Sequence, residues 1–299
     1  MNHPCIFVLG YFDGVHLGHQ ALIRACTQLA GETGADCGAV TFSGHPDALL
    51  LGNAPRLLST PGDRKALLQK YGIRQVLELP FTNELMRTPW QTFLDWLCAE
   101  HQAAGLVCGS DFRFGTGGLG TSDCIRAYCD THHLPCRIVP QVLFDGVRIS
   151  STDIRALLEQ NRFSQALQLL GHGFQVTGTV LWGKQLGRTI GFPTANLAYP
   201  ADLVCLPRGV YAATAQAEGH TYQAIVNVGV RPTVSGECLN IEAHLMDFSG
   251  TLYGKTLCLT LLCHLRPEKH FPSLSALQTQ ISRDLLAAEK YFQKTKTYS

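Results

Sequence analysis

The segment Gly10-Tyr11-Phe12-Asp13-Gly14-Val15-His16-Leu17-Gly18-His19 combines two histidines with three glycines, directly after an apolar run and at the opening of a helical pattern. A helix start presents unpaired backbone N–H groups and the positive end of the helix dipole, so it favours phosphate or another anion. Gly14 and Gly18 let the backbone approach a ligand closely. His16 and His19 add two donors, and an imidazole can be cationic near neutral pH, which suits charge developing on transferring phosphates. A plainer reading has the glycines only making a turn and the histidines capping or facing solvent. A zinc pair is a third, but no further ligand of the usual kind lies nearby in the sequence.

Three other groups invite chemistry. Ser150, Ser151 and Thr152 offer hydroxyls and an N-cap, and Arg155 offers a planar cation suited to phosphate; alone, this is also what a capped helix looks like. Residues 183–196 carry Gly183, Lys184, Gly187, Arg188, Gly191, Thr194 and Asn196, as a phosphate loop could. This is not a Walker A motif, because Gln185 follows Lys184 where Ser or Thr is required; ordinary turn glycines in a long barrel loop also account for it. Glu242 and His244 share one face of an alternating strand, as a base and its neighbour would, or as a solvated polar pair. Gly115, Gly117 and Gly120 spell G-x-G-x-x-G, but residues 111–114 separate them from the preceding strand, so no dinucleotide fingerprint is read here.

These groups need elements to hold them. From Pro4 to about Leu170, strand-length apolar runs (residues 5–10, 38–42, 75–79, 105–109 and 136–140) alternate with helical patterns (17–29, 63–71, 90–100 and 122–132). Such alternation predicts a parallel sheet covered by helices on both faces, with ligands outside the carboxyl ends of the strands. After Gly171 the rhythm changes to short strand-like runs (175–181, 210–216, 222–228, 239–247 and 256–265) separated by Gly, Pro and polar turns, as in an antiparallel barrel or sandwich. Leu274, Leu277, Ile281, Leu285 and Ala288 then mark one face of a closing helix. The expected domains are 1–171 and 172–299.

Composition narrows the partners. At 299 residues the length suits two domains, and 45% hydrophobic against 16% charged residues predicts that nearly all of it folds. Residues 1–171 hold 13 Lys and Arg against 15 Asp and Glu, and the remainder 11 against 8, so neither half is a basic footprint and nucleic acid is not an expected partner. No run reaches the roughly 18 apolar residues that span a bilayer, and the start lacks a cationic region leading into an apolar one. We expect no membrane partner and a cytoplasmic location. The 12 cysteines are scattered without a C-x-x-C pair, the closest spacings being Cys124/Cys129 and Cys258/Cys263, and read as reduced.

The motifs together resemble the prokaryotic bifunctional riboflavin kinase/FAD synthetase family. Residues 10–19 are similar to its G-x-F-D-G-V-H-x-G-H, Thr41-Phe42-Ser43-Gly44-His45-Pro46 to its T-F-x-P-H-P, Gly109-Ser110-Asp111-Phe112-Arg113-Phe114-Gly115 to its G-x-D-F-R-F-G, and Ile149 to Arg155 to its I-S-S-T-x-I-R. In the second half, residues 187–196, Gly209-Val210-Tyr211, residues 227–233, 241–248 and 252–255 resemble the riboflavin kinase domain. Gly44 departs from the proline of the second motif, and residues 116–120 lack the basic side chains often found there.

The resemblance implies an α/β Rossmann-like nucleotidyltransferase domain followed by a small antiparallel β-barrel with a C-terminal helix. It implies riboflavin plus ATP giving FMN, then FMN plus ATP giving FAD and pyrophosphate, with Mg²⁺ in both. By that likeness His16, His19 and Arg155 stabilise charge in the first reaction, and FMN attacks ATP with no nucleophilic side chain. Phe12, Asp13, Gly14, Gly18, Ser150, Ser151 and Thr152 would hold ATP, and His45, Asp111, Phe112 and Arg231 the flavins. In the second domain Gly187 and Arg188 would meet ATP, Thr194 and Asn196 would hold Mg²⁺ and phosphates, and Glu242 would be the base. Two rivals follow: a kinase whose first half has drifted, on the strength of Gly44 and residues 116–120, and a non-catalytic flavin sensor, against which Thr194, Asn196 and Glu242 count.

Overall fold

The computed structural model describes residues 3–50, 52–183, 186–233 and 236–296, with side chains left out at 50, 186, 231–233, 236–238 and 296. Two compact units emerge: Met1–Leu57 with Pro61–Ser151, and Leu58–Thr60 with Thr152–Ser299.

The first unit runs β1 Cys5–Leu9, α1 Leu17–Thr33, β2 Asp36–Phe42, α2 Pro46–Leu50, α3 Pro61–Lys70, β3 Gln75–Leu79, α4 Asn83–Arg87, α5 Trp90–His101, β4 Ala103–Gly109, β5 Arg113–Phe114, β6 Gly120–Thr121, α6 Ser122–Thr131, β7 Cys136–Val139, β8 Leu143–Phe144 and β9 Val147–Arg148. The expected strands and helices are present within a few residues. The additions are elements too short to show a period: α2, α4 and two small hairpins. Strands β1, β2, β3, β4 and β7 form one parallel sheet in the order β3-β2-β1-β4-β7. Chain order reverses between β1 and β4, which opens a crevice at their carboxyl ends.

Burial explains the central strand. All five β1 residues are buried, and they alternate: Ile6 and Val8 pack with α1 and α3 side chains such as Ile23, Leu67 and Leu68, while Cys5, Phe7 and Leu9 pack with Phe93, Leu97 and Ile125 of α5 and α6. A strand apolar on both faces is what a doubly covered parallel sheet requires.

The second unit comprises α7 Ser151–Glu159, α8 Phe163–Leu170, β10 Phe174–Leu181, α9 Leu186–Thr189, β11 Ala195–Ala198, β12 Gly209–Ala217, β13 His220–Thr233, β14 Gly236–Leu245, β15 Thr256–Pro267 and α10 Leu274–Lys296. Backbone contacts thus group α7 and α8 with the barrel, although the sequence period changes only at Gly171. The six strands close antiparallel in the order β10-β11-β14-β13-β12-β15, which leaves no edge open to other chains. Residues 183–196, read as one loop, instead contain α9 and end inside β11, whose four residues lie between proline-bearing segments and show no run of their own.

Helix α10 packs Ala288 and Phe292, with Ile281 and Leu285, on Val210, Ala212 and Ile225 of the barrel. Leu274 departs from the expected stripe: it is 52% exposed, because it sits at the helix start beyond the packed turns. Arg266 of β15 grips Asp284 of α10 through two nitrogens, Nε to Oδ1 at 2.8 Å and Nη2 to Oδ2 at 2.7 Å, and Gln280 donates to Oδ1 at 2.8 Å. Asp284 is almost fully buried. Removing one partner of such a pair strands the other charge, so Asp284→Ala should lower stability by about 3 kcal/mol, whereas Glu289→Ala on the exposed face should change it by under about 0.5 kcal/mol. Urea unfolding followed by circular dichroism checks the contrast.

Candidate active sites

Beyond β1 the backbone enters an unusual turn. Phe12, Gly14 and Val15 have φ of 59°, 74° and 40°, a region that a β-branched valine strongly disfavours. The surroundings hold it there by its carbonyls. Thr41 Oγ1 donates to the Tyr11 carbonyl at 2.8 Å, as does Arg64 Nη1 at 3.4 Å; Ser151 Oγ donates to that of Asp13 at 3.0 Å, and Gln20 Nε2 to that of Val15 at 2.9 Å. Anchored in this way, the turn delivers His16 to the N-cap of α1, where its Nδ1 accepts the His19 N–H at 3.4 Å.

The two imidazoles stack face to face, with centroids 3.7 Å apart and planes tilted by 16°. Stacked rings do not aim their lone pairs at a common ion, and no cluster of three His, Cys, Asp or Glu suited to a metal occurs among the described residues. His19 is half-buried, and its buried Nδ1 has no hydrogen-bond partner in the protein. Burial, then His16, then Arg64 push its pKa well below the ordinary 6.5. Near neutral pH this environment favours the neutral ring of His19, with a buried Nδ1 that no protein group contacts. This sharpens the sequence reading, in which either ring could be cationic.

A cleft of about 400 Å³ opens at this end of the sheet, lined by His16, Gly18, His19, Asp111, Phe112, Arg113, Arg148, Ser150 and Ser151 among others. Arg148 Nη2 pairs with Asp111 Oδ2 at 2.7 Å, and Gln141 donates to the same oxygen at 3.3 Å. Adjoining it lies a larger apolar cavity of about 660 Å³, lined by Phe42, Phe81, Leu85, Phe93, Phe112, Phe114 and the backbone of 115–118; Gly10, Phe42, Pro46, Phe112 and Arg113 border both. The glycine-rich segment without basic residues thus walls an apolar space. Gly44 has open surroundings and an ordinary φ, so nothing there demands glycine in place of proline.

In the barrel, strand register places Asn196 of β11 and Asn227 of β13 directly opposite Glu242 of β14, one on each side. Directly opposed residues share a face, so the three side chains form a row. Asn240 Nδ2 donates to Glu242 Oε1 at 3.3 Å. His244 Nδ1 lies 2.8 Å from the Pro193 carbonyl; a carbonyl only accepts, so this nitrogen carries the proton. A cleft of about 230 Å³ collects Gly187, Thr194, Asn227, Glu242, His244, Arg266, Glu268 and Phe271, with Leu277 and Ile281 of α10. At Gly187 any Cβ would strike the Phe192 carbonyl and stand 3.5 Å from Thr194 Oγ1, so only glycine lets the turn close over Thr194.

The sequence-derived residues fall into two groups. His16, Gly18, His19, Asp111, Phe112, Ser150 and Ser151 line the first cleft, and Gly187, Thr194 and Glu242 the second, with buried Asn196 beside Glu242. Phe12 and Asp13 are buried under the turn, Phe12 edge-on to His19, and Gly14 belongs to the strained turn itself. His45 packs edge-on to Tyr11 and accepts the Asp47 N–H at 3.1 Å. Thr152 and Arg155 belong to α7 in the second unit, and Arg188 is exposed on α9. Arg231 lies on β13 opposite Cys238, and its side chain is outside the described residues. Sequence reasoning left Asn227, Glu268, Arg266, Arg148 and Arg64 unassigned. Arg148 could have been found as the cation preceding the Ser150–Ser151 hydroxyls; nothing local marks Arg64.

Comparison with known proteins agrees with this division. A family model described as FAD synthetase matches residues 1–153, and one described as riboflavin kinase matches 170–292. The chain is 32% identical to the bifunctional riboflavin kinase/FMN adenylyltransferase of Listeria monocytogenes, covering 97% of this chain and 93% of that protein. It is 34% identical to the Escherichia coli protein of the same description, covering 98% and 94%. A crystal structure from Streptococcus pneumoniae, described as a macrolide-efflux protein, has a TM-score of 0.83 at 29% identity, covering 97% of this chain and 95% of that one. Among the described residues here, no helix is long and apolar enough to cross a membrane.

The lowered pKa of His19 has a measurable consequence. The unfolded chain takes up a proton at this residue near 6.5, while the folded protein resists it, so stability should fall as pH drops below about 6.5. His19→Asn should flatten that slope. Urea unfolding between pH 5 and 8 (roughly the histidine range) tests it.

Proposed function

Because the chain belongs to the family of bifunctional riboflavin kinase/FMN adenylyltransferases, it is a transferase with both activities, and we propose that each unit houses one of them. The barrel unit phosphorylates riboflavin to FMN with ATP. The sheet unit joins FMN to the adenylyl group of ATP, giving FAD and pyrophosphate. The observation that carries this reading is the presence of two separate polar clefts, each bordered by an apolar surface and each built from the residues of one unit.

In the sheet unit, a phosphate oxygen of FMN attacks the α-phosphorus of ATP in line with the departing pyrophosphate. The chain's part is positioning and charge stabilisation. Gly18 and the start of α1 offer backbone N–H groups, and Ser150 and Ser151 offer hydroxyls. The unused Nδ1 of His19 provides a buried polar contact, and bound phosphates would raise the pKa of that ring and strengthen its donors. Phe12, Asp13 and Gly14 keep the phosphate role their motif implies through the turn they build. The apolar cavity suits a flat tricyclic ring, with Phe112 and Pro46 on its wall, and we assign Asp111 and His45, their chain neighbours, to the flavin as their motifs imply.

In the barrel unit, Glu242 takes the proton from the terminal ribityl hydroxyl as that oxygen attacks the γ-phosphorus. The flavin ring lies toward Phe271, Leu277 and Ile281. Thr194 and Asn196 present a hydroxyl and an amide oxygen beside a glycine-only turn, a hard and uncharged donor pair that fits Mg²⁺ arriving with ATP. Such an ion, when bound, neutralises phosphate charge. Gly187 leaves room for the phosphates, and Arg188 and Arg231 are the cations we assign to ATP and flavin. No pair of cysteines with the metal-binding C-x-x-C spacing occurs, and buried thiols such as Cys5, Cys26 and Cys108 pack in the core, which suits a reducing compartment; we place the protein in the cytoplasm.

Replacing His16 and His19 together by alanine should cut FAD formation by about 100-fold or more while FMN still accumulates from riboflavin; loss of both products in a folded variant would contradict the division. In turn, Glu242→Gln should slow riboflavin phosphorylation by about 100-fold or more yet leave adenylylation of supplied FMN intact. Chromatography of the flavins reads both, and FMN produced by this variant at the wild-type rate would remove Glu242 as the base.

A further inference from the structure

Arg64 is the largest fully buried side chain, 1% exposed, on a helix whose other charged residues mostly face outward. Its guanidinium is spent on the sheet's carboxyl end: Nη2 donates to the Phe42 carbonyl at 2.6 Å and to Glu78 Oε1 at 3.3 Å, Nη1 to the Tyr11 carbonyl at 3.4 Å, and Cζ stands 4.6 Å from the centre of the Tyr11 ring. One planar cation therefore ties together the chain leaving β1, the end of β2 and a residue of β3. Burying an arginine is costly unless every donor finds a partner, and a rigid fork reaches several acceptors where a lysine reaches as a point charge. The segments it joins are the turn that leads to His16 and His19 and the stretch Phe42–Pro46 that borders both clefts.

We propose that Arg64 is a positioning residue for adenylyl transfer, fixing the phosphate turn against the end of β2 so that ATP and FMN meet in line. The proposal rests on the reading of the sheet unit as the adenylyl-transfer site. Arg64 also faces His19, along with His16 from the cap of α1; Glu78 stands behind it, Asp13 lies within the turn, and Asp111, Arg113 and Arg148 line the same cleft. Its positive charge disfavours a proton on His19, so the two contributions, fork and charge, can be separated by substitution.

Two full-length variants do this, Arg64→Lys and Arg64→Met. FAD formation from FMN and ATP gives kcat and KM, riboflavin phosphorylation by the same samples reports on the barrel unit, dispersed indole NMR signals of Trp90 and Trp96 report that the sheet unit is folded, and NMR of ¹³C-labelled histidine follows His19. Both variants should lose about 10-fold to 100-fold in kcat for FAD formation, with KM changing less and kinase activity retained, as a misplacement of about 1 Å would cause. His19 should titrate at low pH in the lysine variant, which keeps the charge, and should rise only modestly in the methionine variant, because burial and His16, the larger causes, still hold it below 6.5. Wild-type kcat in either folded variant overturns the proposal, as does joint loss of both activities, which marks a purely structural role. If the wild type itself makes no FAD, the reading of the unit falls; the NMR positions of the His16 and His19 rings then judge Arg64 alone, and ring signals unmoved in both folded variants overturn its hold on the turn.

Discussion

The turn after β1 is held by its carbonyls, and the cleft lined by His16, Gly18 and His19 depends on that. Phe12 and Val15 sit at positive φ, each at a cost of about 1–3 kcal/mol. The donors from Thr41, Arg64, Gln20 and Ser151 contribute about 0.5–1.5 kcal/mol each, which is enough to offset the strain. With the carbonyls occupied from below, the backbone leads His16 into its cap and stacks His19 on it. The fully buried β1 supplies a base that cannot shift, because its side chains are packed on both faces.

The barrel solves a similar problem with register. Glu242 stands between Asn196 and Asn227 because β14 pairs with β11 on one side and β13 on the other. Slipping either pairing by one residue would turn the row to the opposite face, so barrel closure and the placement of Glu242 are one constraint. The Arg266–Asp284 pair then fixes α10 beside the cleft, so that Leu277 and Ile281 wall it.

Much of this was legible in the residue pattern. The alternation of strand and helix periods gave the parallel sheet, the change at Gly171 gave the barrel, and the spacing of His16 and His19 placed both rings at a helix start. What stayed hidden shares a physical cause. Arg64, Asn227 and Glu268 acquire roles from neighbours far away in the chain, which no local spacing encodes. Strand β11 has only four residues, too few for a period. The neutrality of His19 follows from burial, and burial of a polar residue is a property of packing. Phe12 and Asp13 were read as ligand contacts, whereas their side chains lie beneath the turn; backbone and side-chain roles look alike in a motif.

The central claim is that one chain performs two transfers at two different phosphorus atoms of ATP. Incubation with riboflavin, Mg²⁺ and ATP labelled on either the α- or the γ-phosphorus, followed by separation of the flavins, tests it most directly. The account predicts γ-label in FMN, and α-label in FAD but never in FMN. Absence of α-label from every flavin, or its appearance in FMN, would contradict it.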